Sequence, residues 1–119
     1  MSTRQEKLQE LLREEMSDIL RREFKDPRLG FITVTGAEIT ADLRHAKVFI
    51  SIMGTDEEKA RNMAVLKKAE HFARQALGRR VKMKILPEID FRLDTSIDHG
   101  VRVFELLEQV KREEQDKAP

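Results

Sequence analysis

The chain has 119 residues, a formal net charge of +1 and no cysteine, and charged residues make up 38% of it. This length allows one domain with a modest core, and the lack of cysteine excludes disulfides, thiolate metal ligands and cysteine nucleophiles. No apolar run approaches the roughly 20 residues of a transmembrane helix. The first ten residues lack the apolar segment of a secretory signal. We therefore expect a cytoplasmic protein with no membrane partner.

The first predicted element is an amphipathic helix that ends at Asp26 and Pro27. The residue before a proline avoids the α-helical region, so the helix cannot continue through this pair. Apolar residues recur before it at helical spacing. They are Leu8, Leu11, Leu12, Met16, Ile19, Leu20 and Phe24. We interpret this stripe as core, with a partner-binding helix as the alternative.

Two predicted strands follow, over residues 31–39 and 46–53. The first is rich in β-branched residues, and the second alternates apolar positions with charged or polar ones. Because only a short polar loop separates them, we predict an antiparallel hairpin. Gly36 inside the first strand predicts either a bulge or a close approach of another backbone.

A longer helical pattern begins at Thr55 and is interrupted by a glycine. Thr55 and Glu58 have the spacing of a capping box. Glycine costs roughly 1 kcal/mol relative to alanine inside a helix. We therefore predict a helix kink at Ala76, Leu77 and Gly78, with a shorter second helix over residues 79–83. A straight helix that ends at a glycine C-cap is the alternative.

The last predicted elements are a strand that starts after Pro87 and a final amphipathic helix. The strand places Ile89, Phe91 and Leu93 on its inner face, with charged residues between them. The predicted order is α-β-β-α-kink-α-β followed by a C-terminal helix. This indicates a single α+β domain over residues 1–112, with helices packed on one face of a three-stranded sheet. Residues 113–119 are predicted to be a charged flexible tail. The final helix carries Ile97, Val101, Phe104, Leu107 and Val110.

Positive charge is concentrated in residues 59–84. This stretch holds nine Lys and Arg and one acid, a local net charge of +8 in a chain whose total is +1. Such asymmetry indicates a surface that faces an anion, and Lys and Arg on phosphates would supply affinity with little sequence choice. A solvated helix face is the alternative. The candidate RNA-binding residues are Arg61, Lys68, Arg74, Arg79, Arg80, Lys82 and Lys84.

Four motifs, taken in order, resemble the ribosome-binding factor A family of bacterial small-subunit assembly factors. The first is the helix, the DPRLG turn and the two strands joined through DLRHAKV. The second is Ala76-Leu77-Gly78, which is similar to the family's Ala-x-Gly kink. The third is Pro87-Glu88 with Phe91 and Asp94. The fourth is the SIDHGVR segment that begins at Ser96. The resemblance covers roughly residues 5–112.

The resemblance implies a type II KH-like fold and binding to the free small (30S) subunit and its rRNA. It also implies support for late maturation and 5′-end processing of the 16S rRNA, particularly in the cold, without catalysis or a cofactor. A KH domain usually clamps the nucleic acid with a G-x-x-G loop, which this sequence lacks. We therefore expect backbone contacts from the basic face. The chain has no nucleotide-binding motif, so energy-driven release would need a partner GTPase, and we expect a monomer.

Three other interpretations compete with this one. An enzyme is disfavoured because His45, His71 and His99 have no nucleophile or metal-ligand spacing around them. A protein-interaction module would dock through the first or last helix. A general RNA chaperone would share the salt dependence of rRNA binding but not the preference for the small subunit. Since the chain has no Trp or Tyr, base stacking is disfavoured and recognition of the RNA backbone is favoured.

Overall fold

A computed structural model describes residues 3–24 and 31–96. Helix α1 (Thr3–Arg22) precedes strands β1 (Ile32–Ile39) and β2 (His45–Ile52). Helices α2 (Asp56–Lys68) and α3 (Glu70–Arg80) follow, and strand β3 (Glu88–Leu93) comes last. This order confirms the predicted α+β class. The predicted C-terminal helix and the tail over residues 113–119 lie outside the described residues.

The three strands form one sheet in the order β1-β2-β3. Strands β1 and β2 are antiparallel, which confirms the predicted hairpin. Strand β3 pairs parallel to β2, because the intervening helices carry the chain back to the start of the sheet. The β1–β2 register shifts between Val34 and Gly36. A Cβ on Gly36 would meet no atom within 4 Å, so this glycine marks a bulge and not a close approach.

The core lies between the helices and one face of the sheet. On β2 the alternation is as predicted: Val48 and Ile50 are fully buried, whereas Lys47 between Ala46 and Val48 is exposed. On β3, Phe91 is fully buried and Leu93 is half-buried. Helix α1 contributes the central part of its predicted stripe, which confirms that this stripe is core. Its buried residues are Leu12, Met16, Ile19 and Leu20.

Two consecutive helices are present, but the predicted position of the break is wrong, and so is the predicted second helix over residues 79–83, because α3 ends at Arg80. Helices α2 and α3 are separated at Ala69, whose backbone has φ −101° and ψ 7°. Ala76, Leu77 and Gly78 all lie inside α3. A Cβ on Gly78 would lie 3.1 Å from Leu86 Cδ2. The glycine therefore gives room to the α3–β3 connection and does not interrupt the helix.

Helix α2 begins where the sequence predicted, at the cap formed by Thr55. The Thr55 hydroxyl oxygen accepts a hydrogen bond from the backbone N–H of Glu58 at 3.1 Å. This bond satisfies one of the free N–H groups of the first helical turn. Asp56, Glu57 and Glu58 occupy that turn, where negative charge is favoured by the helix dipole. The positive charge of the 59–84 stretch therefore begins only after the first turn of α2.

Candidate functional site

The break between α2 and α3 is attached to the edge of the sheet. The Glu70 carboxylate accepts a hydrogen bond from the backbone N–H of Phe91 at 2.7 Å. Lys67 pairs with Glu70 at 3.3 Å and also contacts the Asp90 carboxylate. Although desolvation acts in the opposite direction, the hydrogen bonds to Asp90 and Glu70 raise the pKa of Lys67. Lys67 therefore fixes the end of α2 to β3.

Arg80 lies in a cluster of carboxylates on and after α1, here called the Arg80 cluster. Its Nε donates to Glu23 Oε2 at 2.8 Å, and its Nη1 donates to Asp18 Oδ2 at 2.5 Å and to Glu15 Oε2 at 3.4 Å. Hydrogen bonds from Arg80 and then Arg21 lower the pKa of Asp18 from 3.8 to about 2. The carboxylates of Asp18, Glu23 and Glu15 in turn raise the pKa of Arg80, and the hydrogen bond to Asp18 has the largest effect. The Arg80 charge is compensated within the protein.

Arg74 is also engaged inside the protein. Its Nη2 donates to the Leu86 carbonyl at 2.9 Å and its Nε donates to the Pro87 carbonyl at 3.2 Å. Glu88 adds a longer ion pair at 3.8 Å. The side chain thus holds the chain segment that leads into β3. Arg74 and Arg80 are the two of the seven predicted RNA-binding residues for which the described structure gives side-chain hydrogen bonds within the protein.

Three other members of the predicted set are exposed on α2 and α3. Arg61 and Lys68 are about two helical turns apart on α2, so their side chains leave the helix on the same side. Both are exposed, and neither has an ion-pair partner among the described residues. Arg79 has one ion pair, to Glu23 at 3.6 Å, and its side chain is 60% exposed. We call these three residues the α2–α3 cations.

Lys82 and Lys84 belong to a different surface, which the sequence did not reveal. They lie on the α3–β3 connection and line a groove of about 420 Å³ together with Arg4 and Lys7 of α1. We call it the α1 groove. Its apolar floor is formed by Leu8, Leu11, Leu43, Met83 and Ile85. Arg4 and Lys7 are one turn apart on α1, but only the fold brings them to residues 82–85.

The aromatic residues of the described chain differ widely in burial. Phe91 is buried, whereas Phe31 is 73% and Phe72 is 41% exposed. Phe72 packs edge to face against Phe24, with ring centroids 5.6 Å apart. This contact links α3 to the segment after α1. Phe72 therefore has a packing role in addition to its exposed part.

The described residues offer neither a metal site nor a membrane span. Over residues 3–24 and 31–96, no three His, Cys, Asp or Glu side chains are placed to hold a metal ion. His45 and His71 are exposed, and His99 lies outside the described residues. No helix in the same ranges is long and apolar enough to cross a membrane.

Comparison with known proteins gives one consistent family. The model of the ribosome-binding factor A family matches residues 4–107. Ribosome-binding factor A of Halothermothrix orenii is 52% identical over 112 residues, covering 94% of this chain and 92% of the relative. That of Desulforamulus reducens is 44% identical over 114 residues, covering 96% of this chain and 95% of the relative.

Solved structures show the same fold. The crystal structure of ribosome-binding factor A from Thermus thermophilus superposes with a TM-score of 0.66 at 26% identity, covering 75% of this chain and 94% of the other. A homology model of the Thermus thermophilus factor, fitted into an electron cryo-microscopy map of its complex with the 30S subunit, gives a TM-score of 0.63. The identity is 26%, with 75% and 93% of the chains covered. These likenesses confirm the predicted KH-like fold.

Proposed function

The chain belongs to the ribosome-binding factor A family, and we propose that it binds the free small (30S) ribosomal subunit in the cytoplasm. In this proposal it contacts the rRNA backbone and supports late maturation and 5′-end processing of the 16S rRNA. It does so during growth in the cold as well. It acts as a monomer without a cofactor, and a partner GTPase drives its release where energy is needed. The 30S complex of the Thermus thermophilus factor supports this choice of partner.

The observation that carries the proposal is the pair of uncompensated cations on α2. Arg61 and Lys68 are exposed and have no ion-pair partner among the described residues. A phosphate that binds them displaces only water and counterions, so the full electrostatic gain of the contact is available. Arg79 extends the set at the end of α3, because its long ion pair leaves 60% of its side chain exposed.

The composition of this surface favours the RNA backbone over the bases. The α2–α3 cations carry charge but no ring, and the chain has neither Trp nor Tyr. Contacts to phosphates fix position on the RNA and carry little sequence information. We therefore propose that the shape of the folded rRNA, and not its local sequence, selects the binding position.

Sedimentation of a cell lysate tests this proposal. We expect the protein to migrate with free small subunits and to be absent from the large-subunit and assembled-ribosome fractions. Because phosphate contacts release counterions, raising the salt concentration during sedimentation should move the protein to the top of the gradient. An equal distribution over all ribosomal fractions would contradict the preference for the free small subunit.

A further inference from the structure

We propose that the α1 groove is a docking site for an acidic amphipathic helix of a protein partner. This interaction surface is separate from the α2–α3 cations and adds a function to rRNA binding. The groove combines two features that such a helix would satisfy together, a rim of positive charge and an apolar floor.

The rim consists of four exposed cations, Arg4, Lys7, Lys82 and Lys84. Among the described residues, none is an ion-pair partner of these cations and none is an acidic residue that lines the groove. Arg13, farther along helix α1, is instead paired with Glu10. Cations that surround a concave surface attract an anionic partner. They raise its local concentration and speed its association.

The floor consists of apolar side chains that are half-buried and thus partly open to a partner. Met83 adds a flexible thioether, which adapts to the shape of a docked side chain. Leu43 sits in the β1–β2 turn with a positive φ of 64°. A left-handed backbone is strained for a residue that has a Cβ. A glycine would avoid this strain, but it would remove the leucine side chain from the floor.

The floor distinguishes a protein helix from RNA as the occupant. Bases bind single-strand grooves mainly by stacking on aromatic rings, and no aromatic residue of the described ranges lines the α1 groove. Phosphates would use the rim and leave the apolar floor uncovered. A helix with leucines on one face and glutamates beside them covers the floor and pairs with the rim.

The α1 groove and the α2–α3 cations can be tested independently, because Arg61, Lys68 and Arg79 do not line the groove. The probe is a synthetic fluorescent helical peptide with leucines on one face and glutamates on the other. A second peptide has the same composition in scrambled order. We expect the full chain to bind the first peptide and to discriminate against the scrambled one, since only the first presents a continuous apolar face.

Two groove variants should weaken peptide binding. Lys7→Glu combined with Lys84→Glu reverses half of the rim and is expected to lower the affinity by about tenfold at low salt. Leu43→Gly relieves the positive φ, so it should stay folded, and yet it should also lower the affinity because part of the floor is lost. The matched control, Arg61→Glu with Lys68→Glu, should bind the peptide as the original chain does.

Several results would overturn the proposal. Equal binding of the scrambled peptide would show a simple anion-binding surface, and displacement of the helical peptide by an oligouridine would assign the groove to RNA.

A crosslinking experiment identifies the occupant of the groove. Because the chain has no cysteine, Lys84→Cys accepts a single photoreactive label. Crosslinks within one chain to residues beyond 96 would assign the groove to the chain's own C-terminal segment. Crosslinks between two chains would assign it to a second copy. Capture of the helical peptide by the label supports the proposal.

Discussion

Arg80, at the end of α3, donates its Nε hydrogen to Glu23 Oε2 at 2.8 Å, just after the end of α1. The neighbouring Arg79 reaches the same carboxylate only at 3.6 Å and remains 60% exposed. Two adjacent arginines in the basic stretch therefore have different roles. Arg80 holds two helices together, whereas Arg79 is available to an external anion.

Replacing Arg80 tests this division of roles. Arg80→Gln should lower the melting temperature, because Asp18 and Glu23 lose the guanidinium that donates to both of them. It should leave the salt dependence of RNA binding unchanged when binding is measured well below the melting temperature, since no phosphate contact is lost. Arg61→Gln should do the opposite, keeping the melting temperature and reducing the salt slope by about one. Circular dichroism melting and RNA titrations at several salt concentrations measure both quantities. A salt slope reduced by Arg80→Gln would contradict the assignment.

The Arg80 cluster also predicts a dependence of stability on pH. Asp18 has its pKa lowered from 3.8 to about 2 by Arg80 and Arg21. Because the folded-state pKa is the lower one, the contribution of Asp18 to stability is complete above about pH 5 and is lost as the pH falls through about 2. The difference in melting temperature between the original chain and Asp18→Asn should therefore be constant above about pH 5 and should vanish below about pH 2. A difference that persists in acid would contradict the ion pairing.

Glu70 is predicted to hold the helix break against the sheet. Glu70→Ala removes the acceptor of the Phe91 N–H, and Phe91 is fully buried. A buried backbone donor without a partner costs about 1–3 kcal/mol, so the free energy of unfolding should fall by that amount in urea titrations. Glu88→Ala is the control, because Glu88 is 66% exposed and makes only a long ion pair. Its effect should stay below about 0.5 kcal/mol. Equal losses in both variants would refute the role of Glu70.

Gly78 is predicted to be a packing position and not a hinge. Gly78→Ala gains helix propensity of roughly 1 kcal/mol, and its Cβ would lie 3.1 Å from Leu86 Cδ2. Leu86 is half-buried and can move by the few tenths of an ångström required. We expect a stabilisation of up to about 1 kcal/mol in urea titrations, with the full gain in a Leu86→Ala background. A clear destabilisation that persists in the Leu86→Ala background would show that Gly78 needs its glycine for another reason.

The sequence predicted the helices and strands well because their periodicity reflects contacts between near neighbours. The position of the helix break depends on a distant contact. Ala69 carries no breaker signal, whereas Gly78 does. The break is attached to the sheet by the hydrogen bond from Phe91 to Glu70, which joins residues 21 positions apart. The sequence therefore predicts the break at Gly78, whereas the structure has it at Ala69.

The candidate site was predicted only as a concentration of charge. Counting Lys and Arg along the chain located residues 59–84, but it did not show which cations are compensated. The acids that neutralise Arg80 lie on and just after α1, 57 to 65 positions away. The α1 groove was missed for the same reason. Arg4 and Lys7 lie far along the chain from Lys82 and Lys84, and only the path of the α3–β3 connection brings the four together.

The affinity of the chain for purified free small subunits shows whether the exposed cations of α2 bind the rRNA. The variant is Arg61→Glu with Lys68→Glu. Its control is Arg44→Glu with Lys47→Glu, which makes the same change in charge at two exposed cations of the β1–β2 hairpin. We expect the first variant to lose about tenfold or more in affinity near physiological salt, because two phosphate contacts become repulsive. The affinity of the control should change by less than about threefold. Equal affinities of the first variant and the original chain would contradict the claim that the exposed cations of α2 bind the rRNA.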